Sequence, residues 1–258
     1  MEFVSLLPYI IGSGILVAAA SGLAGSFLLL RKMTLLSDAL SHVALPGIAI
    51  GILFNFEPIL GGVAFLFVGV FFIWAIEHKT KLAVETITGV LFVTALAAGS
   101  LLIPETEMLE TFFGTITDTT LEHLAVQSII AIGVIFVLLR FLKPLLLCSI
   151  APDLAVAEKM PRAAYELLLL GLIALTISIG ISFVGILLMS ALVIIPPATA
   201  RNLSHNFRGF LIWSVVLSVV SLTIGLFADA VWQLGSGTGT VFAGALFFVF
   251  SLLKKQTP

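Results

Sequence analysis

The chain has 258 residues, 60% hydrophobic and 10% charged, with a formal net charge of −2 and a mean hydropathy of +1.24. A soluble domain is typically about 25% charged, so this composition excludes an ordinary soluble enzyme or binding module and indicates a membrane protein. No basic patch with interleaved aromatics occurs, which argues against nucleic acid as a partner. The single cysteine, Cys148, rules out an intrachain disulfide and a thiolate metal cluster.

Apolar runs of 18 or more residues recur, longer than the roughly 9–11 residues of a barrel strand, and no period-two alternation is visible. The chain therefore reads as an all-α, polytopic membrane protein of about eight transmembrane helices. The first span runs from about Pro8 to Leu30 and closes on Arg31 and Lys32. Glu2 and the uninterrupted apolar run do not resemble a cleavable leader, so this span is read as retained. The second starts near Asp38 and ends near Phe54, short and interrupted at Pro46-Gly47. The third covers about Ile59 to Ile76 and precedes the charged turn EHKTK. The fourth runs from about Thr86 to Ile103. An acidic loop from Pro104 to His123 follows, then the fifth span from about Leu124 to Phe141 and a long polar connection. The sixth extends from about Leu167 to Ile195, ending at Pro196-Pro197. The seventh runs from about Phe210 to Trp232, and the eighth from about Thr240 to Leu253.

Basic residues set the orientation. With the N-terminus outside, the inner connections carry Arg31, Lys32, Lys79, Lys81, Arg140, Lys143, Lys159 and Arg162, and Arg201, Arg208, Lys254 and Lys255 are left outside. Residues 166–200 are long for one span. If that segment re-entered or crossed twice, all twelve basic residues would be cytoplasmic.

Asp38 and His42 stand four residues apart in an otherwise apolar stretch, one turn apart on one helix face. Ionisable groups at membrane depth cost a few kcal/mol each and are functional by default. A carboxylate and an imidazole on one face form a ligand pair for a divalent cation such as zinc. The interruption at Pro46-Gly47 strengthens that reading, because discontinuous helices mark substrate sites in transporters. The plain alternatives are a helix N-cap or a pairing with Arg31 or Lys32 for Asp38, and an interhelical hydrogen bond for His42.

Elsewhere, APDLAVAEKMP (Ala151 to Pro161) reads as a short amphipathic helix that Asp153 and Leu154 open and Pro161 ends. It is either an ordinary interfacial helix or a docking helix for a cytoplasmic partner. Glu105, Glu107, Glu110, Asp118, Glu122 and His123 make the outer loop a solvated acidic face or an electrostatic funnel for cations. Asp229, inside the seventh span, reads as a helix tie with a path or gate role as its alternative. His78, His123 and His205 lie in polar connections and read as solvated. No GxxxxGK occurs, so any ATP hydrolysis belongs to a partner chain, and no catalytic set is visible.

Four stretches carry a resemblance: GSFLLLRKMTLLSDALSHVALPG (Gly25–Gly47), FFGTITDTTLEHL (Phe112–Leu124), SIAPDLAVAEKM (Ser149–Met160) and SFVGILLMSALVIIPPATARNLS (Ser182–Ser204). Along nearly its whole length the chain resembles the permease subunit of bacterial metal-cation ABC importers. The terminal LFFVFSLLKKQ is similar to the zinc-uptake branch. The resemblance implies one transmembrane permease domain over residues 1–258, a type II-like ABC importer permease fold, and a homodimer in the bacterial inner membrane. It implies a cytoplasmic ATPase dimer below, a periplasmic zinc-binding protein above, and Zn2+ as cargo with no permanently bound cofactor. It makes Asp38 and His42 candidate metal-coordinating residues, and Asp153, Leu154, Ala155 and Glu158 part of a coupling helix at about 151–161. Related permeases carry manganese or iron, and a stand-alone ion-coupled carrier is the remaining transport alternative.

Overall fold

A computed structural model describes residues 2–80, 82–102, 120–232 and 235–253, and every regular element among them is a helix. In chain order they are α1 (Glu2–Leu30), α2 (Leu35–Leu53), α3 (Pro58–Lys79), α4 (Val84–Leu102), α5 (Leu121–Arg140), α6 (Leu142–Ile150), α7 (Pro152–Ala157), α8 (Arg162–Val184), α9 (Ile186–Leu203), α10 (Phe207–Trp232) and α11 (Ser236–Leu252). Seven of them are long and apolar enough to cross a membrane, and α9 and α11 contain shorter apolar stretches. Glu105, Glu107, Glu110 and Asp118 of the expected acidic loop lie outside the described residues. Glu122 and His123 sit exposed in the first turn of α5, where the Thr120 hydroxyl caps the helix by accepting from the His123 amide.

Lipid is as apolar as leucine, so helices associate here through close van der Waals contact at small residues. α1 is central and packs against α5, α8, α9 and α10. Its register with α10 is read from its glycines. Gly22 lies against the carbonyl of Ser214, and Gly14 against Leu222 and Leu226, so the two helices are antiparallel. α11 runs back along α10 in the same way, with Gly225 against Ser236 and Thr240. Three left-handed residues, Lys32, Asn55 and Lys159, end α1, α2 and α7. At each, the next amide reaches five residues back, as from Met33 to the Leu28 carbonyl, which is the Schellman pattern.

The span expected from about Leu167 to Ile195 is two helices. Gly185, at φ 83° and ψ 163°, closes α8 and opens α9, a backbone conformation essentially reserved for glycine. Gly180 meets the Met189 side chain. Nine residues along one straight helix would separate these positions by about 13 Å, so the chain folds back at Gly185. The turn sits beside the start of α11, where the Ser236 hydroxyl donates to the Phe183 carbonyl. From there α9 descends along α11: Ile195 lies against Gly244, and Asn202 donates to the Ser251 hydroxyl.

Arg201 therefore ends at the same face of the bundle as Arg31, and so does Arg208, which lines a groove with Leu23 and Leu139. Of the two topologies the sequence left open after residue 196, the twice-crossing one holds, and Arg201 and Arg208 do not lie outside. Every described Lys and Arg lies at one end, which the positive-inside rule makes cytoplasmic. Lys81, Lys254 and Lys255 lie outside the described residues.

Candidate functional site

α2 is a continuous helix that starts after Thr34, and Pro46 sits within it. The expected interruption at Pro46-Gly47 is absent. Proline has no N–H to return to the His42 carbonyl, yet tight packing holds the helix together. Gly47 and Gly61 bring the backbones of α2 and α3 into direct contact, each occupying the space where the other's Cβ would lie. α3 and α4 flank α2, with α9 on a further side, so α2 is buried over most of its length.

Asp38 and His42 share a face of this helix. The His42 ring is buried, with its side chain 6% exposed, whereas the Asp38 carboxylate is 39% exposed. Nδ1 of His42 lies 2.9 Å from the Asp38 carbonyl oxygen and 3.9 Å from Asp38 Oδ1. A carbonyl only accepts, so this contact takes a proton on Nδ1, and in the neutral ring Nε2 then keeps its lone pair. Fixing one ring nitrogen by a backbone carbonyl is how proteins prepare the other for a metal. The ring also packs edge-on against Phe92 of α4, centroids 4.9 Å apart.

Neither plain alternative for Asp38 applies: Thr34, not Asp38, holds the N-cap position, without a side-chain cap hydrogen bond, and among the described residues no ion pair joins Asp38 to Lys32 or to Arg31, which is engaged by Glu166 and Glu77. Among the described residues, no group of three His, Cys, Asp or Glu side chains is gathered to hold a metal ion. One chain thus offers two donors, one nitrogen and one carboxylate, with the carboxylate open on the helix face.

α7 is shorter than the expected 151–161 segment. It ends at Ala157, where Lys159 adopts the left-handed conformation, and not at Pro161. Asp153, Leu154 and Glu158 are exposed. Leu154 and Val156 are more than half exposed, as is Ile150 just before the helix, which gives this end an uncovered apolar edge. Ala155 is wholly buried and anchors the helix instead of presenting a contact. Asp229 accepts a hydrogen bond from the Gly235 amide at 2.9 Å and so holds the turn from α10 to α11.

The sequence reading missed an ionic cluster at the cytoplasmic end. Glu166 of α8, 2% exposed, accepts from Arg162 Nε at 2.7 Å and Arg31 Nη2 at 3.3 Å, with His78 Nε2 at 3.4 Å from its other oxygen. Arg31 also lies 3.9 Å from Glu77. His78 is therefore not merely solvated: its ring lies tilted against Trp74 and faces Glu166. Three helices, α1, α3 and α8, are pinned together here, around a cavity of about 350 Å³ lined by Glu77, His78, Arg162 and Glu166. The available signal was the Arg162–Glu166 spacing of four at the mouth of an apolar run.

The family model described as ABC 3 transport family matches residues 4–255. The high-affinity zinc uptake system membrane protein ZnuB of Buchnera aphidicola is 30% identical over 250 residues, covering 94% of this chain and 95% of that protein. The manganese import system permease protein ScaB of Streptococcus gordonii is 31% identical over 250 residues, covering 95% and 90%. The solved structure of PsaBC from Streptococcus pneumoniae in complex with Fab superposes with a TM-score of 0.85 at 26% identity, covering 99% of this chain and 96% of that one.

Proposed function

The chain belongs to the ABC 3 transport family, as a multi-pass inner-membrane permease of a metal-cation importer, and from that premise we propose that it carries zinc through a site built on Asp38 and His42. The observation that carries this reading is the buried His42 ring, its Nδ1 held by a backbone carbonyl and its Nε2 free, one turn from an open carboxylate. Two copies related by a two-fold axis would bring two carboxylates and two imidazoles together. Four such donors suit tetrahedral zinc at about 2.0–2.2 Å. Relatives named for zinc uptake match this chain over nearly its full length, which supports the same cargo.

Manganese is the second reading, favoured by relatives named for manganese transport at similar identity. Energy comes from an ATPase on a separate chain, and the exposed Leu154, Val156 and Ile150 edge, flanked by Asp153 and Glu158, is where that subunit seats. A periplasmic binding protein delivers the ion on the opposite side. Family membership supports both partners.

The test is metal-stimulated ATP hydrolysis and ion uptake by the reconstituted complex, titrated separately with zinc, manganese and iron. Asp38→Ala and His42→Ala each abolish uptake while insertion and assembly with the ATPase persist. Normal zinc uptake by the double variant would end the ligand proposal. Metal flux into liposomes containing this chain alone would favour an ion-coupled carrier over an ATP-driven one. Asp153→Arg weakens ATPase docking, and unchanged co-purification would exclude α7 as the contact.

A further inference from the structure

α4 presents one buried stripe, Thr88, Ala95 and Gly99, with Phe92 in the same line, and this stripe is the face it lays on α2. Its register is fixed at two points. Phe92 meets the His42 ring, and Gly99 meets Leu45. The start of α4, at Val84, lines a cavity together with Met33 just ahead of α2. The two helices therefore run in the same direction, and these contacts place Thr88, one turn before Phe92, level with the stretch of α2 from Thr34 to Asp38.

Among the threonines of the described helices, Thr88 is the one that is both buried and unpaired, Thr86 being exposed and Thr238 half-buried. Thr94, Thr176, Thr199, Thr223 and Thr240 each donate to the carbonyl four residues back in their own helix. Thr88 is 2% exposed, and its hydroxyl has no hydrogen-bond partner. Leaving a buried hydroxyl unpaired costs about 1–3 kcal/mol, although the usual remedy, its own helix, was one rotamer away. The hydroxyls nearest Asp38 on α2 are already committed, Ser37 to the Thr34 carbonyl and Ser41 to the Ser37 carbonyl.

We infer that the Thr88 hydroxyl is a third donor to the transported ion, a neutral oxygen that joins the Asp38 carboxylate and His42 Nε2 and helps set which metal is accepted. This rests on the Asp38–His42 reading above. The chemistry has a direction. With two copies, Asp38, His42 and Thr88 supply six donors, four of them oxygen, so a site whose Asp38 and His42 donors suit zinc also admits an oxygen-preferring six-coordinate ion such as manganese. Thr88 then makes the site permissive, and its removal should narrow it toward zinc.

The experiment measures the half-saturating concentrations of zinc and manganese for ATP hydrolysis by the reconstituted complex of Thr88→Val, which keeps the side-chain shape, and Thr88→Ser, which keeps the hydroxyl. The Val variant should need roughly tenfold more manganese, with a smaller change for zinc, and the Ser variant should match the wild type. Unchanged values for both ions in the Val variant, or an equal loss in Val and Ser, overturn the inference. If the Val variant does not assemble, Thr88→Ala is judged by the same two criteria. Asp38→Ala measured alongside separates the two levels. Its loss of transport together with a normal Val variant refutes only the role of Thr88, whereas normal transport by Asp38→Ala refutes the site itself.

Discussion

Replacing Glu166 with alanine should destabilise the protein more than any other single charge removal at the cytoplasmic end. The carboxylate is almost fully buried and accepts from two guanidinium groups, with an imidazole against it. Arg162 is 41% exposed on its side chain and can turn to water when Glu166 is lost. Arg31, with a side chain 9% exposed, cannot, and keeps only Glu77 at 3.9 Å. Breaking a buried pair by removing one partner costs about 3–5 kcal/mol, because the surviving charge stays desolvated. For a domain of this size that corresponds to a fall in melting temperature of about 10 °C. Thermal unfolding of the detergent-purified protein reads the change. The same principle predicts that the double replacement Arg31→Met with Glu166→Leu recovers part of the loss, since neither of those charges is then left buried, although Glu77 loses its Arg31 partner. A Glu166→Ala protein melting within about 2 °C of the wild type, or a double variant less stable than the single, would refute the buried-hub reasoning.

Three further outcomes follow from the same structure. Gly185→Ala forces an L-residue into φ 83° and ψ 163° and should cost about 1–3 kcal/mol, lowering the melting temperature and the yield of folded protein; an unchanged melt would mean that the α8–α9 reversal does not depend on that conformation. Asp229→Asn keeps an acceptor for the Gly235 amide and should behave as wild type, whereas Asp229→Ala should lose about 1 kcal/mol of stability with uptake retained; abolished uptake in a stable Asn variant would return Asp229 to the conduit. Burial pushes the Cys148 thiol above its usual range, and the nearby Glu166 carboxylate adds to this, so the thiolate fraction near neutral pH is lower than for a free thiol. Maleimide labelling of this single cysteine should therefore be slow at pH 7 and accelerate only at distinctly alkaline pH, and rapid labelling at pH 7 would contradict its burial.

Composition alone was enough to establish a helical membrane protein. Burying a backbone in lipid leaves few solutions, and a chain that is 60% hydrophobic in runs of helical length permits only one of them. Asp38 and His42 were legible for a related reason: an ionisable side chain in an apolar run is costly wherever the helix packs, so the pair stands out without knowledge of any neighbour. The resemblance carried by four stretches of sequence pointed to the right family, which the match over residues 4–255 bears out.

What the sequence left open depends on partners distant along the chain. Residues 166–200 are apolar throughout, and hydropathy does not distinguish one long helix from two short ones. Gly185 becomes a reversal because the start of α11 and the body of α2 supply contacts to both legs. In the same way Pro46-Gly47 looked like a break, but the glycine lets α3 press against α2 and hold it as one helix. His78 read as solvated and Glu166 drew no reading of its own until three helix ends converged on them. Thr88 carries no local signal at all, since its meaning lies in which face of α4 meets α2 and in which hydroxyls there are already satisfied. Local chemistry and lipid fixed the kinds of element and the residues that resist burial; only the packing of remote segments decided where the chain turns and which buried polar atoms are left without a partner.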